Sequence, residues 1–292
     1  MKHTKKSINN LSICIFNCYS KSYRKKRMDV HDLNQPSNLF KNFLQKYIPE
    51  CNVDIIFTDD YKLMLPSGIH VNKYDGYIWT GSNLYDYNKN PIIKKQVELL
   101  QSIFEEGIPC YGSCWGIQLA CVVAGGKVKK NKNGFEWNIA RNIKKVNKQS
   151  LLLKGKPDTY DGLVFHEYEI SKVPKNSIIS SIGNHTSVQS LEINCKKGTF
   201  WGTQYHPEYN LYELNRWSIT RAKYLVECDF FKEEKEVQKY VKKADTLYYN
   251  PKLTKLKKEL NISRSILDDI IRQQELRNWI DYLVIPHKQG LR

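Results

Sequence analysis

The sequence predicts an α/β fold: a mostly parallel central sheet flanked by helices, with a C-terminal helical extension. Short apolar runs alternate with longer helical patterns over the first two-thirds of the 292 residues, as expected of parallel strands joined by crossover helices. From about Lys127 to Tyr205 the pattern changes to closely spaced short strands. After Phe231 the composition shifts to charged helix formers.

The first strand is Leu11 to Phe16. Further strands are expected over Val53 to Phe57, Gly76 to Trp79 and Ile108 to Gly112, each a short apolar run of the kind buried on both faces of a sheet. Between them, Leu39 to Tyr47 and Ile92 to Phe104 carry helical spacing, with Leu99, Leu100 and Ile103 on one face; Pro91 suits a helix start. The strand-rich part offers Lys127 to Lys130, Ala140 to Val146, Leu163 to Ile170, Ile178 to Ile182, Val188 to Ile193 and Phe200 to Tyr205. A helix is expected from about Leu211 to Phe231. The last segment, Ile262 to Ile285, shows the apolar stripe of an amphipathic helix, which must be buried on its own domain or against a partner. We therefore divide the chain into residues 1–231, the main domain, and 232–292, a charged helical extension.

A chain of this length with 41% hydrophobic residues can bury a full core. No run approaches the roughly 18 apolar residues needed to cross a bilayer. Leu11 to Cys18 follows basic residues, as a signal peptide would, but it lacks a convincing small-residue cleavage site. The eight cysteines are scattered singly, without the paired spacing that holds zinc or runs a redox cycle, so reduced thiols in a cytoplasmic protein are expected, with no metal and no cofactor. The net charge is +16. Half of it comes from Lys2, Lys5, Lys6, Lys21, Arg24, Lys25, Lys26 and Arg27, and a second excess runs from Lys127 to Lys156, where Glu136 is the sole acid. A solvated surface is the plainer explanation. An anionic partner, such as a phosphorylated acceptor, is the sharper one, and nucleic acid is not favoured.

The segment Ile108-Pro-Cys-Tyr-Gly-Ser-Cys-Trp-Gly-Ile-Gln-Leu-Ala-Cys reads as a buried strand, a sharp turn carrying Cys114 between Gly112 and Gly116, and an apolar helix. This is the logic of the G-x-S-x-G nucleophile elbow with cysteine in place of serine. Glycines flank such a nucleophile because its backbone is strained and its neighbours crowd. A helix N-terminus behind the sulfur favours the thiolate. The alternative is a buried structural cysteine in a helix-start turn.

A nucleophilic thiol needs a base that can also protonate the leaving amine. Trp201-Gly-Thr-Gln-Tyr-His-Pro-Glu supplies one. After an apolar strand His206 should project from a loop at the carboxyl edge of the sheet, with Glu208 placed to orient the ring by accepting from its other nitrogen. A lone histidine is usually structural. This one stands about ninety residues after the cysteine turn and carries its own carboxylate partner.

Gly-Ser-Cys-Trp-Gly-Ile-Gln together with Gln-Tyr-His-Pro-Glu resembles the class I, or triad, glutamine amidotransferases, including the glutaminase domain of GMP synthetase, over about Leu11 to Phe231. The resemblance implies a flavodoxin-like fold, a glutamyl thioester on Cys114, acid–base work by His206 and support by Glu208. It also implies an oxyanion hole from Gly81, in Trp79-Thr-Gly-Ser-Asn, and Trp115, and a glutamine pocket lined by Gln118. Val188 and Gln189, in Asn184-His-Thr-Ser-Val-Gln-Ser, match the segment that closes this pocket. His166 in Phe-His-Glu-Tyr-Glu matches a recurrent histidine, structural or on the acceptor side. Two departures stand out: Ser113 replaces an apolar residue, and the loop at Gly81 lacks the Gly-Gly-Pro of many members. Roughly 60 residues follow Phe231, too few for an ATP-using synthetase and without a phosphate loop.

The preferred reading is a free-standing glutaminase that passes ammonia from glutamine to a separate synthetase or ligase. A γ-glutamyl peptide or conjugate hydrolase would use the same triad. A binding scaffold or thiol sensor would form no thioester.

Overall fold

The computed structural model describes residues 10–31, 33–59, 65, 70–85 and 90–291; of the basic N-terminal group, Lys2, Lys5 and Lys6 lie outside the described residues. Among the described residues, eleven strands form a nine-stranded sheet and a two-stranded one. The parallel half of the large sheet contains β1 (Ser12–Asn17), β2 (Asn52–Phe57), β3 (Gly76–Trp79), β4 (Cys110–Ser113) and, last in sequence, β11 (Gly198–Thr203), in the order β2-β1-β3-β4-β11. The sheet continues antiparallel through β10 (Val188–Cys195), β9 (Ser177–Ile182), β6 (Glu136–Lys145) and β7 (Thr159–His166). β5 (Lys127–Lys130) pairs separately with β8 (Tyr168–Lys172).

The parallel strands alternate between two cores, because successive side chains on a strand point to opposite faces. Ile13 and Ile15 of β1 join Phe40, Phe43 and Leu44 of the helix Pro36–Tyr47 on one side. Cys14 and Phe16 join Ile93, Leu100, Ile103 and Phe104 of the helix Pro91–Glu106, and Ile117 and Leu119 of the helix Trp115–Val123, on the other. Pro91 opens its helix behind an Asn90 cap, and Gly107 closes it at φ 77°, a left-handed end that glycine adopts without a Cβ clash.

Register decides what meets at the carboxyl edge. Phe16 pairs with Trp79, Trp79 with Gly112, and Gly112 with Gly202, so β1, β3, β4 and β11 reach the same row together. Whatever follows that row emerges at one edge, the customary place for a site in an open α/β sheet.

The structure departs from the expected elements at four places. The strand expected over Leu163 to Ile170 is two, β7 and β8, which divide at Glu167 and enter different sheets. β6 starts at Glu136 rather than Ala140 and accommodates an irregular pairing between Ala140 and Ile143, beside Asn142 at φ 52°. The helix expected over Leu211 to Phe231 breaks at Arg221 into Leu211–Thr220 and Ala222–Glu227. The helix expected over Ile262 to Ile285 is a series of short turns, Arg264–Leu267, Asp269–Arg272 and Gln274–Trp279, followed by a π-helical stretch, Ile280–Val284. Asp268 makes the first of these breaks: its side chain accepts from the Ile270 amide, so it caps a new helix instead of continuing the old one.

Most of the apolar stripe of this last segment is buried against the same chain, Ile270 being exposed. Leu276, Trp279, Ile280, Leu283 and Val284 share a core with Leu11, Ile13, Ile15 and Ile78 of the sheet, while Ile262 and Ile266 pack near Leu163 and Tyr209. The helix Glu234–Tyr249 lies on Leu211–Thr220. Among the described residues no helix is long and apolar enough to cross a membrane.

Candidate active site

Cys114 stands between β4 and the helix Trp115–Val123 at φ 53° and ψ −100°, a backbone conformation that a residue with a Cβ adopts only under tertiary constraint. The constraints are visible. Its amide donates to the Thr203 carbonyl at 2.8 Å, and its carbonyl accepts from Gln118 N at 3.3 Å. The flanking glycines are needed for space. A Cβ on Gly116 would stand 2.6 Å from the Trp79 carbonyl oxygen, and one on Gly112 would stand 2.8 Å from Gly116 Cα.

His206 follows β11 and is 2% exposed, its amide donating to Leu163 O at 2.8 Å. Its Nδ1 lies 2.7 Å from Glu208 Oε1, and its ring stacks on Tyr209 with centroids 4.5 Å apart at 12°. The Cys114 thiol acts on the same ring, and both side chains close around Gly81, where an added Cβ would lie 3.1 Å from His206 Cε1 and 3.9 Å from Cys114 Cβ. Burial alone would push the imidazole down. The negative charge of Glu208 and the bonds to Cys114 and Glu208 outweigh it and raise the ring from 6.5 to about 10. Cys114, His206 and Glu208 therefore form one connected array.

Gly81 follows β3 at the same edge. A Cβ built on it would stand 3.1 Å from His206 Cε1, 3.4 Å from the Tyr19 hydroxyl oxygen and 3.9 Å from Cys114 Cβ, so the loop passes directly over the thiol and the ring. Hydrogen bonds hold the loop to the end of β1: Cys18 N donates to Thr80 Oγ1 at 3.0 Å and Ser82 Oγ donates to Cys18 O at 2.7 Å. Trp115 opens the helix behind the sulfur, and its indole N–H donates to Gln96 Oε1 at 2.8 Å.

A cavity of about 370 Å³ exposes Cys114 together with Gln118, Tyr168, Ser82, Tyr19 and Arg221. The Gln118 side-chain amide donates to Tyr168 O at 2.8 Å and to Gln204 Oε1 at 3.0 Å, which fixes one wall. His166 also lines the cavity; its Nε2 is 3.1 Å from Glu136 Oε2 and its Nδ1 is 3.1 Å from Tyr168 O. Burial would raise the Glu136 carboxyl, but bonding to His166 and its charge hold it below the usual carboxylate range.

The structure does not bring Val188 and Gln189 to this cavity. Val188 is buried with Leu119 and Ile170, and Gln189 lines a neighbouring cavity with Glu136 and His185, its amide donating to Thr186 O at 3.3 Å. Three residues at the site went unread in the sequence. Ser113, noted there only as a departure, donates to Glu208 Oε1 at 2.8 Å and so helps hold the carboxylate. Tyr209 supports the ring, and Tyr19 stands over it. A hydroxyl on an otherwise apolar, fully buried strand was the available signal for Ser113. Among the described residues, no group of three His, Cys, Asp or Glu side chains is placed to hold a metal.

Comparisons with known proteins identify the family. The family model described as Glutamine amidotransferase class-I matches residues 22–219. The chain is 30% identical over 262 residues to a Gamma-glutamyl-L-1-hydroxyisopropylamide hydrolase of Pseudomonas sp, covering 86% of each. It is 33% identical over 106 residues to the GMP synthase of Limosilactobacillus reuteri, a stretch that is 36% of this chain but 20% of that protein. The crystal structure of a glutamine amidotransferase from Thermotoga maritima superposes with a TM-score of 0.63 at 17% identity, covering 94% of this chain and 98% of that one, and so shares its fold. With the family model spanning more than half of its length, the chain belongs to the class I glutamine amidotransferases and is an enzyme of that hydrolase type.

Proposed function

We propose that this protein is a hydrolase of γ-glutamyl amides. What carries the reading is the thiol–imidazole–carboxylate array of Cys114, His206 and Glu208, with Cys114 opening on a cavity, in a chain similar over 86% of its length to a hydrolase named for a γ-glutamyl amide. The Cys114 sulfur attacks the γ-carbonyl carbon, and the electron pair of the C=O bond moves to oxygen. Backbone amides at Gly81 and Trp115 stabilise that oxyanion, each such donor being worth about 3 kcal/mol in comparable sites. Collapse breaks the C–N bond while His206 gives its proton to the departing nitrogen. The γ-glutamyl thioester remains. His206 then takes a proton from water, which attacks the thioester and releases glutamate and the thiol.

Glutamine is the smallest substrate for this cycle, and supply of the resulting ammonia to a separate synthetase is the second reading. Similarity to GMP synthases favours it, although the chain spans about a fifth of the Limosilactobacillus reuteri protein. We also propose that residues 1–231 carry the chemistry, that 232–292 brace them, and that the eight free thiols belong in the reducing cytoplasm.

The test is glutamate release from glutamine and from a panel of γ-glutamyl amides, with Cys114→Ala as control. Conjugates turned over at least about tenfold faster than glutamine support the first reading. Glutamine hydrolysis that rises only when a ligase copurified from native lysate is added supports the second. Turnover undiminished in Cys114→Ala removes the assigned nucleophile.

A further inference from the structure

On the side of Tyr19, the cavity that exposes Cys114 has a wall that ammonia does not require. The general acid must stand about 3 Å from the departing nitrogen, so the substituent on that nitrogen extends along whatever lies beside the His206 ring. Tyr19 is that neighbour, its hydroxyl sharing the space above Gly81 with His206 Cε1. The Tyr19 ring stacks on Tyr23 at 5.6 Å and on Trp217 at 5.8 Å, which gives a flat aromatic surface running away from the thiol. At its far side stands Arg221, which donates to the Tyr23 hydroxyl and lies 5.0 Å over the Phe165 ring, with all of these groups lining the same cavity.

Arg221 carries a fixed charge, and among the described residues no carboxylate lies within ion-pair distance of it. The acid that shares its cavity, Glu167, is engaged by Lys130 at 2.9 Å. A guanidinium held by aromatic faces keeps its fork available for a planar anion. The surroundings add to its charge. Lys25, Lys26 and Arg27 are exposed on the turn after Tyr23, and Arg27 reaches the carbonyl of Thr220, the residue before Arg221. The positive excess noted near the N-terminus thus lies in part beside this wall, where it would draw an anionic ligand inward.

We infer that Arg221 and the Tyr19–Tyr23–Trp217 wall form a leaving-group subsite for an amine bearing a carboxylate, making γ-glutamyl amino acids or peptides with a free C-terminus the preferred substrates. This rests on the proposed hydrolysis of γ-glutamyl amides and names the class of amine. The aromatic surface takes the amino-acid side chain, and the guanidinium takes the carboxylate. The amide bond then lies between the Cys114 sulfur and the His206 ring. Arg221 does not touch the reacting atoms, so its effect falls on the binding of one class of leaving group.

The experiment compares γ-glutamyl-phenylalanine with γ-glutamyl-phenylalaninamide, which differ only at the terminal carboxylate, in the full-length wild type, Arg221→Gln and Arg221→Lys. In the wild type kcat/KM should favour the carboxylate by about 10- to 100-fold, the range for a charge-assisted hydrogen bond. Arg221→Gln should bring the ratio to within about twofold of unity, through a higher KM for the carboxylate substrate, and Arg221→Lys should retain part of the preference. A wild-type ratio near unity, with both substrates consumed in a Cys114-dependent way, overturns the subsite and leaves the proposed function standing. Equal losses on both substrates in Arg221→Gln also overturn it, since that is what structural damage at the helix break does. Failure to hydrolyse either conjugate while glutamine is consumed removes the subsite and the γ-glutamyl conjugate reading together.

Discussion

Replacing Glu208 by glutamine isolates the electrostatic part of the array, because the amide keeps the size of the side chain and removes its charge. In the wild type, burial pulls the His206 ring down, while the Glu208 charge 2.7 Å away and the adjacent Cys114 sulfur raise it to about 10. The ring must be protonated to discharge the leaving amine, so kcat/KM is held on the acid side and lost as pH rises through about 10. Without the carboxylate charge, the low-dielectric surroundings return the ring toward its ordinary 6.5, which moves the basic limb down by up to about three units. At about pH 8.5 the ring is then about 1% protonated in the variant and nearly fully so in the wild type, a loss on the order of 100-fold. At about pH 6 most rings are protonated in both, and the loss shrinks to the roughly tenfold expected of poorer orientation. Initial rates of glutamate release between about pH 5.5 and 10.5 measure this, with the ring titrated directly by NMR. Stability follows the same proton. A raised histidine stabilises the fold fully below its unfolded value of 6.5, and that contribution is lost as pH rises through about 10, so melting temperature should fall over this window more in the wild type than in Glu208→Gln. A basic limb that stays in place in the variant, or a loss uniform across pH, refutes the assignment.

Gly81→Ala puts a methyl carbon 3.1 Å from His206 Cε1, so activity should fall by about 10- to 100-fold with melting temperature nearly unchanged; a fully active variant would show that the loop does not crowd the reacting groups. Gly116→Ala drives a Cβ to 2.6 Å from the Trp79 carbonyl oxygen, a backbone group that cannot step aside, and should cost about 3 kcal/mol or more in urea unfolding. Lys156→Met leaves the Glu275 carboxylate buried without its cation and should cost about 3–5 kcal/mol, whereas Lys156→Met combined with Glu275→Leu should recover most of that loss. Equal instability in the single and double variants would mean that packing, not charge, holds this pair.

The inner parallel strands were legible because each is a short apolar run covered on both faces, unlike the half-buried edge strand β2, and because their helices keep a clear 3.6-residue period. Cys114 was legible because the reason for its strain, two glycines around a turn, is written within five residues. His206 and Glu208 share one short loop for the same reason. What escaped depends on distant parts of the chain. Arg221 meets Tyr23 across 198 residues, and its helix breaks without proline or glycine to announce it. The partner of Ser113 is not readable locally, because Glu208 arrives from 95 residues away. The resemblance pointed to Val188 and Gln189, but Gln189 lines the cavity beside Glu136 and donates to Thr186 O, and Val188 is buried in the core.

The C-terminal stripe was readable as a period and not as a place, and its place bears on the chemistry. Glu275 is fully buried and accepts both from Lys156 Nζ and from the Tyr205 hydroxyl, which is also 2.9 Å from the Tyr160 hydroxyl. Tyr205 immediately precedes His206. Beneath β3, Trp279 occupies the space left by the missing Cβ of Gly76, which would otherwise stand 2.9 Å from the indole. One side of the sheet is therefore completed by residues from the end of the chain, and one of their carboxylates grips the residue next to the imidazole. Buried ion pairs contribute little net stability compared with an apolar replacement, but a half-satisfied one is costly, so this network penalises displacement of Tyr205 more than it adds to the fold. The C-terminal residues thus reach the neighbour of His206 through Glu275, although among the described residues none of them lines the cavity at Cys114.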